Sequence, residues 1–315
     1  MEEKLKTGSE NSENFRCGVV AIVGRPNVGK STLLNAILKE KVAIVSPVPQ
    51  TTRNQVRGIY NDERGQIIFI DTPGVHRPKD KLDEFMNKSA IDTFYDADCL
   101  IHLVDSHEPV GQEEESIVRK LAVLNIPIVL GLNKVDVKKN NLMPQYISLW
   151  EEIAGKPVQQ LFHLILLPLS GEKGTNVEKL IDLIFEQLPK GPALYPPDIL
   201  SDFPQRLAMA DIVREKLFSI LRQELPHAVA VVIEDVQKRP GKTIYIQAVI
   251  LVEKESQKEI VIGSGGQVLK KVGVLARQDL EDILESRIFL DLYVKARKNW
   301  RDNASLLNEL GYSSS

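Results

Sequence analysis

Cysteine is nearly absent. Cys17 and Cys99 are the only two in 315 residues, which excludes a disulfide scaffold and a cysteine-rich zinc site. Two thiols in a chain of this size suit a reducing compartment. The five histidines, His76, His102, His107, His163 and His227, show no metal-ligand spacing. No run approaches the roughly 18 consecutive apolar residues that mark a membrane span. Residues 1–16 carry Glu2, Glu3, Glu10 and Glu13 and have no apolar core, so they read as a disordered tail, not a signal or transit peptide. A cytoplasmic location is the resulting expectation. Charge of one sign is also lacking. The net charge is −3, with 27 acidic against 23 basic residues in 1–200 and 16 against 17 in 201–315. The chain as a whole therefore does not look like a nucleic-acid binder. With 43% hydrophobic and 26% charged residues it has the make-up of a folded protein, and its length favours two domains.

Apolar runs alternate with helical stretches through the first part. Val19–Val23, Ile67–Ile70, Leu100–Val104, Ile126–Leu132 and Leu161–Leu169 are short and nearly continuous, as parallel strands covered on both faces should be. Helix patterns at Ser31–Leu38, Leu82–Phe94, Gln112–Leu124, Pro144–Ala154 and Val177–Leu188 separate them. This predicts a doubly wound α/β domain over 17–190. Pro189, Pro192, Pro196 and Pro197 then break any helix, and 191–205 is read as a linker. Residues 206–315 follow another order. A helix at Arg206–Arg222 precedes strands at Ala228–Val236 and Thr243–Val252. Helices at Glu255–Ile262 and Gln267–Glu285 and a strand at Ile288–Lys295 complete an α-β-β-α-α-β domain.

Gly24-Arg25-Pro26-Asn27-Val28-Gly29-Lys30-Ser31 matches GxxxxGK(S/T) between a strand and a helix, the setting of a phosphate-binding loop. The glycines let the backbone wrap phosphates, and the helix N-terminus faces their oxygens. Lys30 is expected on the β- and γ-phosphates and Ser31 on Mg²⁺. Gly24, Asn27, Val28, Gly29 and Thr32 complete the expected loop contacts. Asp71-Thr72-Pro73-Gly74 ends a strand; Asp71 is expected to hold Mg²⁺ through water and Gly74 to bring its amide to the γ-phosphate. Asn133-Lys134-Val135-Asp136 ends another strand. A carboxylate at Asp136 can accept from N1 and the exocyclic amine of guanine, a donor pair that adenine lacks. Ser170-Gly171 could offer an amide to guanine O6. In the loop Gln50-Thr51-Thr52-Arg53, Thr52 is favoured over Thr51 to close onto Mg²⁺. Lys30, Thr52, Asp71 and Gly74 are the expected catalytic set.

These five segments, in this order, resemble the TRAFAC-class GTPases of the TrmE–Era group, whose second motif reads as Thr51-Thr52-Arg53 does. The resemblance implies a P-loop NTPase fold and hydrolysis of GTP to GDP. It also marks one departure from the group and one difference from Ras-like enzymes. The fifth motif of the group is normally Ser-Ala, where this chain has Ser170-Gly171. The place of the water-orienting Gln of Ras-like enzymes is taken by Val75, a hydrophobic substitution that the resemblance itself implies. Asn27 stands where relatives bind K⁺, so K⁺ is expected to raise turnover; the alternative is a residue that only turns the loop.

Gly263-Ser264-Gly265-Gly266 is a GxxG loop between two helices, followed by Lys270 and Lys271. A KH module clamps about four nucleotides with such a loop. On its own GxxG is weak; the surrounding element order and the two lysines favour a KH domain, expected to be of type II. Lys295, Arg297, Lys298 and Arg301 add either a phosphate-facing patch or solvated charges. A GTPase followed by a KH domain narrows the resemblance to the Era GTPases, supported by Gln205-Arg206, Ile212–Leu217, Glu224–His227 and Leu310-Gly311-Tyr312. It implies binding of small-subunit ribosomal RNA near its 3′ end, a role in small ribosomal subunit assembly, and peripheral membrane association. No stable protein partner is expected, and the chain is taken as a monomer. Two other readings stand beside this one: an RNA-binding assembly chaperone with a mainly structural nucleotide site, and a tRNA-modification GTPase. The KH domain and the lack of a spare reactive Cys in the last domain argue against the latter. His102, His163, Trp150 and Trp300 are read as packing residues, and Glu113-Glu114-Glu115 as a solvated helix start.

Overall fold

The computed structural model describes residues 14–222, 225–241 and 243–312. Most of the expected acidic tail, with Glu2, Glu3, Glu10 and Glu13, lies outside the described residues, as does Glu224; the tail's last residue, Arg16, already begins the first strand. By its contacts the chain separates into two units. One comprises 1–43, 55–75 and 90–202, the other 44–54, 76–89 and 203–315. The sequence predicts contiguous blocks; the compact units interleave instead, because two segments of the first half have their packing partners in the second.

The first unit is built on a six-stranded sheet among the described residues, ordered β2-β3-β1-β4-β5-β6. Its strands are β1 (Arg16–Val23), β2 (Val56–Asp62), β3 (Gly65–Asp71), β4 (Cys99–Asp105), β5 (Ile128–Asn133) and β6 (Leu164–Pro168). All neighbours run parallel except β2 and β3, which pair antiparallel. β3, β4 and β5 are buried at every residue, which is why they read as unbroken apolar runs. β2 is missing from the sequence reading. Its residues, Val-Arg-Gly-Ile-Tyr-Asn-Asp, neither run apolar nor alternate cleanly, and Gly58 lies under Leu34 and Leu38 of α1 (Lys30–Leu38), leaving no room for a Cβ.

One face of the sheet is covered by α2 (Lys81–Asp96) from Ala90 onward, α3 (Gln112–Leu121) and α4 (Met143–Ala154), whose apolar side chains share a core with Ala21, Val23, Leu100, Val104 and Leu130. On the other side α1 packs on α5 (Val177–Gln187). The expected linker is laid along the sheet edge. Leu200 O accepts from Ile59 N at 2.9 Å, and buried Gln66 receives the amides of Leu194 and Tyr195 at 2.8 and 2.9 Å. An edge strand leaves backbone groups unpaired, and this proline-rich segment meets them.

The second unit contains α6 (Gln205–Ile220), β7 (Ala230–Arg239), β8 (Thr243–Val252), α7 (Glu255–Ile262), α8 (Gln267–Leu284) and β9 (Arg287–Ala296), ending in a short helix, α9 (Ala304–Glu309). β7 and β8 are antiparallel, β8 and β9 parallel. Alternation along β8 sends Ile246, Ala248, Ile250 and Val252 into a core with α6 and α8, while Val249 and Leu251 join Leu82, Met86, Trp300, Leu307 and Tyr312 on the other face. Trp300 is a packing residue, as its helical spacing suggested.

Candidate functional site

Strand register brings the motifs of the first unit to one edge of its sheet. Ile22 pairs with Asp71, Asp105 with Asn133 and Leu132 with Pro168, so the loops at Gly24, Asp71, Asn133 and Ser170 all leave the carboxyl ends of parallel strands. That is where open α/β sheets hold ligands. The loops close on one another through glycine. A Cβ on Gly24 would lie 2.2 Å from Leu103 O, one on Gly29 2.6 Å from Asn133 Nδ2, and one on Gly74 2.6 Å from Pro26 N. With no side chains there, backbone forms the wall of the cradle, which is what a phosphate group needs.

Lys30 is buried, and its Nζ donates to Gly24 O at 3.2 Å and Arg25 O at 2.9 Å. Burial pulls its ammonium down to about 8, against the opposing charges of Asp71 and Glu114. A phosphate arriving beside it would raise that value again. Binding should therefore take up a proton above about pH 8, so nucleotide affinity is expected to be flat below that pH and to fall above it, by at most about tenfold per pH unit. Titrations with GDP across that range check this; a flat profile, or the same fall in a Lys30→Met variant, removes Lys30 as the source.

Ser31 Oγ donates to Asp71 Oδ2 at 2.5 Å. A hydroxyl and a fully buried carboxylate side by side are hard oxygen donors of the kind Mg²⁺ takes. On the base side, Asn133 ties the loops together: its Nδ2 donates to Val28 O at 2.7 Å and its Oδ1 accepts from Gly171 N at 3.0 Å. Lys134 Nζ donates to Asn27 O at 2.8 Å and pairs with Asp105 at 2.7 Å. Asn27 itself adopts a left-handed turn, φ 63°, so the loop-turning role is real whatever its side chain binds. Asp136 is exposed and available to a ligand. Asp105 escaped the sequence reading; its position at the end of a strand between two motif strands was the available signal.

The two amides expected to serve guanine O6 have partners within the protein in this structure. Gly171 N is engaged by Asn133, and Ser170 N donates to Thr175 O at 3.0 Å. Both amides are used within the protein because the turn after β6 closes on itself and on β5. A Cβ on Gly171 would sit 3.2 Å from Leu33 N and Cα, tight but not prohibitive. Val75 is buried in the apolar core and its amide donates to Gly24 O at 3.2 Å, so its side chain has no part in orienting water.

Thr52 belongs to the second unit. There its neighbours are clamped: Arg214 Nη2 donates to Thr51 O at 2.9 Å, and Arg53, 1% exposed, donates to Val229 O at 2.8 Å with its guanidinium over the rings of Phe218 and Trp300. Burial pulls the Arg53 guanidinium down to about 10, which leaves it cationic at neutral pH. In the same unit the GxxG loop lies between α7 and α8 with φ of 75° at Gly263, 58° at Gly265 and 77° at Gly266. A Cβ on Gly263 would strike Val268 Cγ2 at 2.5 Å, whereas Gly265 and Gly266 face open space. Ser264, Lys270 and Lys271 are exposed. Backbone, helix N-terminus and two lysines thus lie together on one accessible surface, the donor set that a phosphate clamp requires.

Two charged residues are not where the sequence suggested. Arg301 is no part of an outward patch. It is 13% exposed, pairs with Asp80 at 2.6 Å and Asp83 at 3.2 Å, and also donates to His227 O. Lys295 pairs with Glu234 at 2.9 Å, and Arg297 and Lys298 remain exposed. Glu114 is not a solvated residue of the α3 start. It is fully buried, because 114, 117, 118 and 121 form the inward stripe of α3. Its partner His102, buried in β4, was read as a packing residue and proves to be hydrogen-bonded.

A family model described as a 50S ribosome-binding GTPase matches residues 19–134, and a KH domain model matches 224–301. The chain is 41% identical over 299 residues to the GTPase Era of Halothermothrix orenii, covering 95% of this chain and 99% of that protein. The chain belongs to the Era GTPase family. It is also 46% identical over 301 residues to the GTPase Era of Caldanaerobacter subterraneus subsp. tengcongensis, covering 95% and 98%. Among solved structures, an Era variant from Aquifex aeolicus bound to GDP and aluminium fluoride superposes with a TM-score of 0.87 at 37% identity over 95% of this chain and 100% of that one. An Era complex with MgGDPNP and nucleotides 1506–1542 of 16S ribosomal RNA gives 0.89, at the same identity and coverage. Both domains expected of the chain, an α/β P-loop GTPase with a mainly parallel sheet and a C-terminal KH domain, are those of this family.

Proposed function

We propose that the chain is a GTP-driven switch of small ribosomal subunit assembly, with the nucleotide held by residues of 17–190 and ribosomal RNA by residues of 206–315. It is a GTPase that binds small-subunit ribosomal RNA near its 3′ end, as its family membership carries. One observation supports the nucleotide assignment above the others: the Gly24–Ser31, Asp71–Gly74 and Asn133–Asp136 motifs leave the carboxyl ends of β1, β3 and β5 on one side of the sheet, with Ser31 on Asp71 and Asn133 on Val28. Lys30 and the loop amides would hold the phosphates, and Asp136 the guanine edge. Ser31, Asp71 and Thr52 would hold Mg²⁺, which supplies charge neutralisation at the β- and γ-oxygens. Gly263, Ser264, Gly265, Gly266, Lys270 and Lys271 would take the RNA backbone.

Switching rests on Thr52 and Gly74, which would respond to a γ-phosphate. The test is RNA affinity with GDP and with a non-hydrolysable GTP analogue at one salt concentration, because phosphate contacts are screened. Affinities that differ by nucleotide support the switch; equal ones end it. Asn27 leads us to add K⁺ as a second ion. Hydrolysis is expected to run faster in KCl than in equimolar NaCl, and equal rates remove the ion.

Val75 favours one other reading, an assembly chaperone whose nucleotide turns over negligibly. Turnover measured with and without small ribosomal subunits separates the two: stimulation supports the switch. Among the described residues no helix is long and apolar enough to cross a membrane. Our reading places the protein as a monomer in the cytoplasm, associating peripherally with the inner face of the membrane; fractionation and light scattering test these points.

A further inference from the structure

Arg25, second residue of the phosphate loop, is anchored away from the loop by a buried polar chain. Its Nε lies 2.7 Å from Glu114 Oε2, and its Nη2 donates to Tyr146 Oη at 2.9 Å. Tyr146 Oη in turn lies 2.7 Å from Glu108 O and 3.0 Å from Asp105 O. The other oxygen of Glu114 is 2.7 Å from His102 Nε2. Trp150 Nε1, which can only donate, lies 3.3 Å from His102 Nδ1. The indole thus fixes the tautomer: Nδ1 accepts, so Nε2 carries the proton and donates to Glu114. Glu114 and His102 are fully buried.

Such an arrangement is costly to bury and needs every partner in place. Desolvation pushes the Glu114 carboxyl up, but its contacts with His102 and then Arg25 outweigh it and hold the carboxyl below its usual range. It therefore stands as a fixed negative charge. What it holds is the peptide whose carbonyl grips Lys30: Arg25 O is the nearer of the two acceptors of Nζ. The route from α3 to the phosphate-binding ammonium is then Glu114 to the Arg25 guanidinium, to the Arg25 backbone, to Lys30.

We infer that Glu114 is a positioning residue of the phosphate loop, acting through Arg25 to set the place of Lys30, with His102 and Trp150 holding Glu114 in turn. The inference rests on the reading of this loop as the nucleotide site. Its main effect falls on the phosphate end of the ligand, because the peptide it sets is the one whose carbonyl holds Lys30.

The test uses the full chain and a fluorescent GDP analogue, with guanosine as a competitor that carries no phosphate. Glu114→Gln keeps the shape but removes the charge, and is expected to weaken GDP binding about tenfold, the scale seen when an outer residue orients a binding one. Guanosine affinity should be unchanged. Arg25→Met should lose as much as Glu114→Gln, and the double variant no more than either, because the two act as one unit. Arg25→Lys should recover part of the loss. A merely structural role would lower the melting temperature and weaken guanosine and GDP together. That result, or GDP affinity within twofold of the parent, or losses that multiply in the double variant, overturns the inference. If Glu114→Gln does not fold, Arg25→Met decides on the same readouts, its side chain lying at the edge of the buried chain with 17% exposure. Failure of the parent protein to bind GDP would instead strike the nucleotide reading, and is seen before any variant is made.

Discussion

Gly24→Ala is expected to abolish nucleotide binding. Gly24 leaves β1 with φ 155°, and a Cβ there would lie 2.2 Å from the carbonyl oxygen of Leu103 and 3.1 Å from Val28 Cγ2. The first obstacle is backbone of a central, fully buried strand, so it cannot yield as the end of a long side chain can. The loop must move instead. Its movement displaces Gly24 O, an acceptor of Lys30, and the amide of Val75, which donates to Gly24 O. A displacement near 1 Å costs about a hundredfold where several contacts must be made at once. Titration with labelled GDP should show a loss of at least that order. Gly171→Ala is the control. Its Cβ would meet Leu33 at 3.2 Å, a contact that shifts of a few tenths of an ångström relieve, and the resembling group carries Ala there. GDP affinity should stay within about threefold, the usual scale for a volume change that repacking absorbs. A Gly24→Ala protein that binds as its parent does would show that the loop adapts, and would remove close packing as the reason for its glycine.

Arg53→Ala is expected to destabilise the second unit by about 3–5 kcal/mol. The side chain is buried, donates to Val229 O, and fills the space between the rings of Phe218 and Trp300. Its removal leaves a buried carbonyl without its donor at the entry to β7 and opens a cavity beside two aromatic rings. Arg53→Lys should recover only part, because an ammonium lacks the planar fork that reaches Val229 O while lying over the rings. Denaturant unfolding followed at Trp300, with amide exchange along β7, measures the effect. A loss below about 1 kcal/mol would mean that water or a neighbour replaces the guanidinium. The site consequence follows from sequence adjacency. Thr52 lies between Thr51, held by Arg214, and Arg53, so loosening either clamp should lower turnover more than GDP affinity.

The nucleotide motifs were legible because their chemistry is local. Gly29, Lys30 and Ser31 must be adjacent to make a phosphate loop at a helix start, and Asn133 to Asp136 form one turn. The buried parallel strands were legible too, since a strand covered on both faces has to be apolar throughout. β2 was not, because an edge strand with one polar side and a glycine under α1 obeys neither pattern. Glu114 was misread for a related reason. Three consecutive glutamates look solvated, yet a helix gives each a different face, and only the second meets the core. The spacing to Ile117, Val118 and Leu121 held that information. Arg301 looked like its exposed neighbours Arg297 and Lys298; its acidic partners Asp80 and Asp83 are 221 and 218 residues away, beyond any local pattern.

By itself, then, the sequence determined a P-loop GTPase domain, a KH domain and most of the order of elements within them. These depend on neighbours in the chain and on hydrophobic period. Tertiary structure alone decided that Arg53 and Arg301 lie inside the second unit, whereas the burial of Glu114 is written in its helical spacing. It also decided that segments 44–54 and 76–89 belong to that unit and not to the one they are threaded through. Burial is settled by which surfaces meet, and here the partners are far apart in the chain, 176 positions for Arg53 and Val229 and 221 for Arg301 and Asp80.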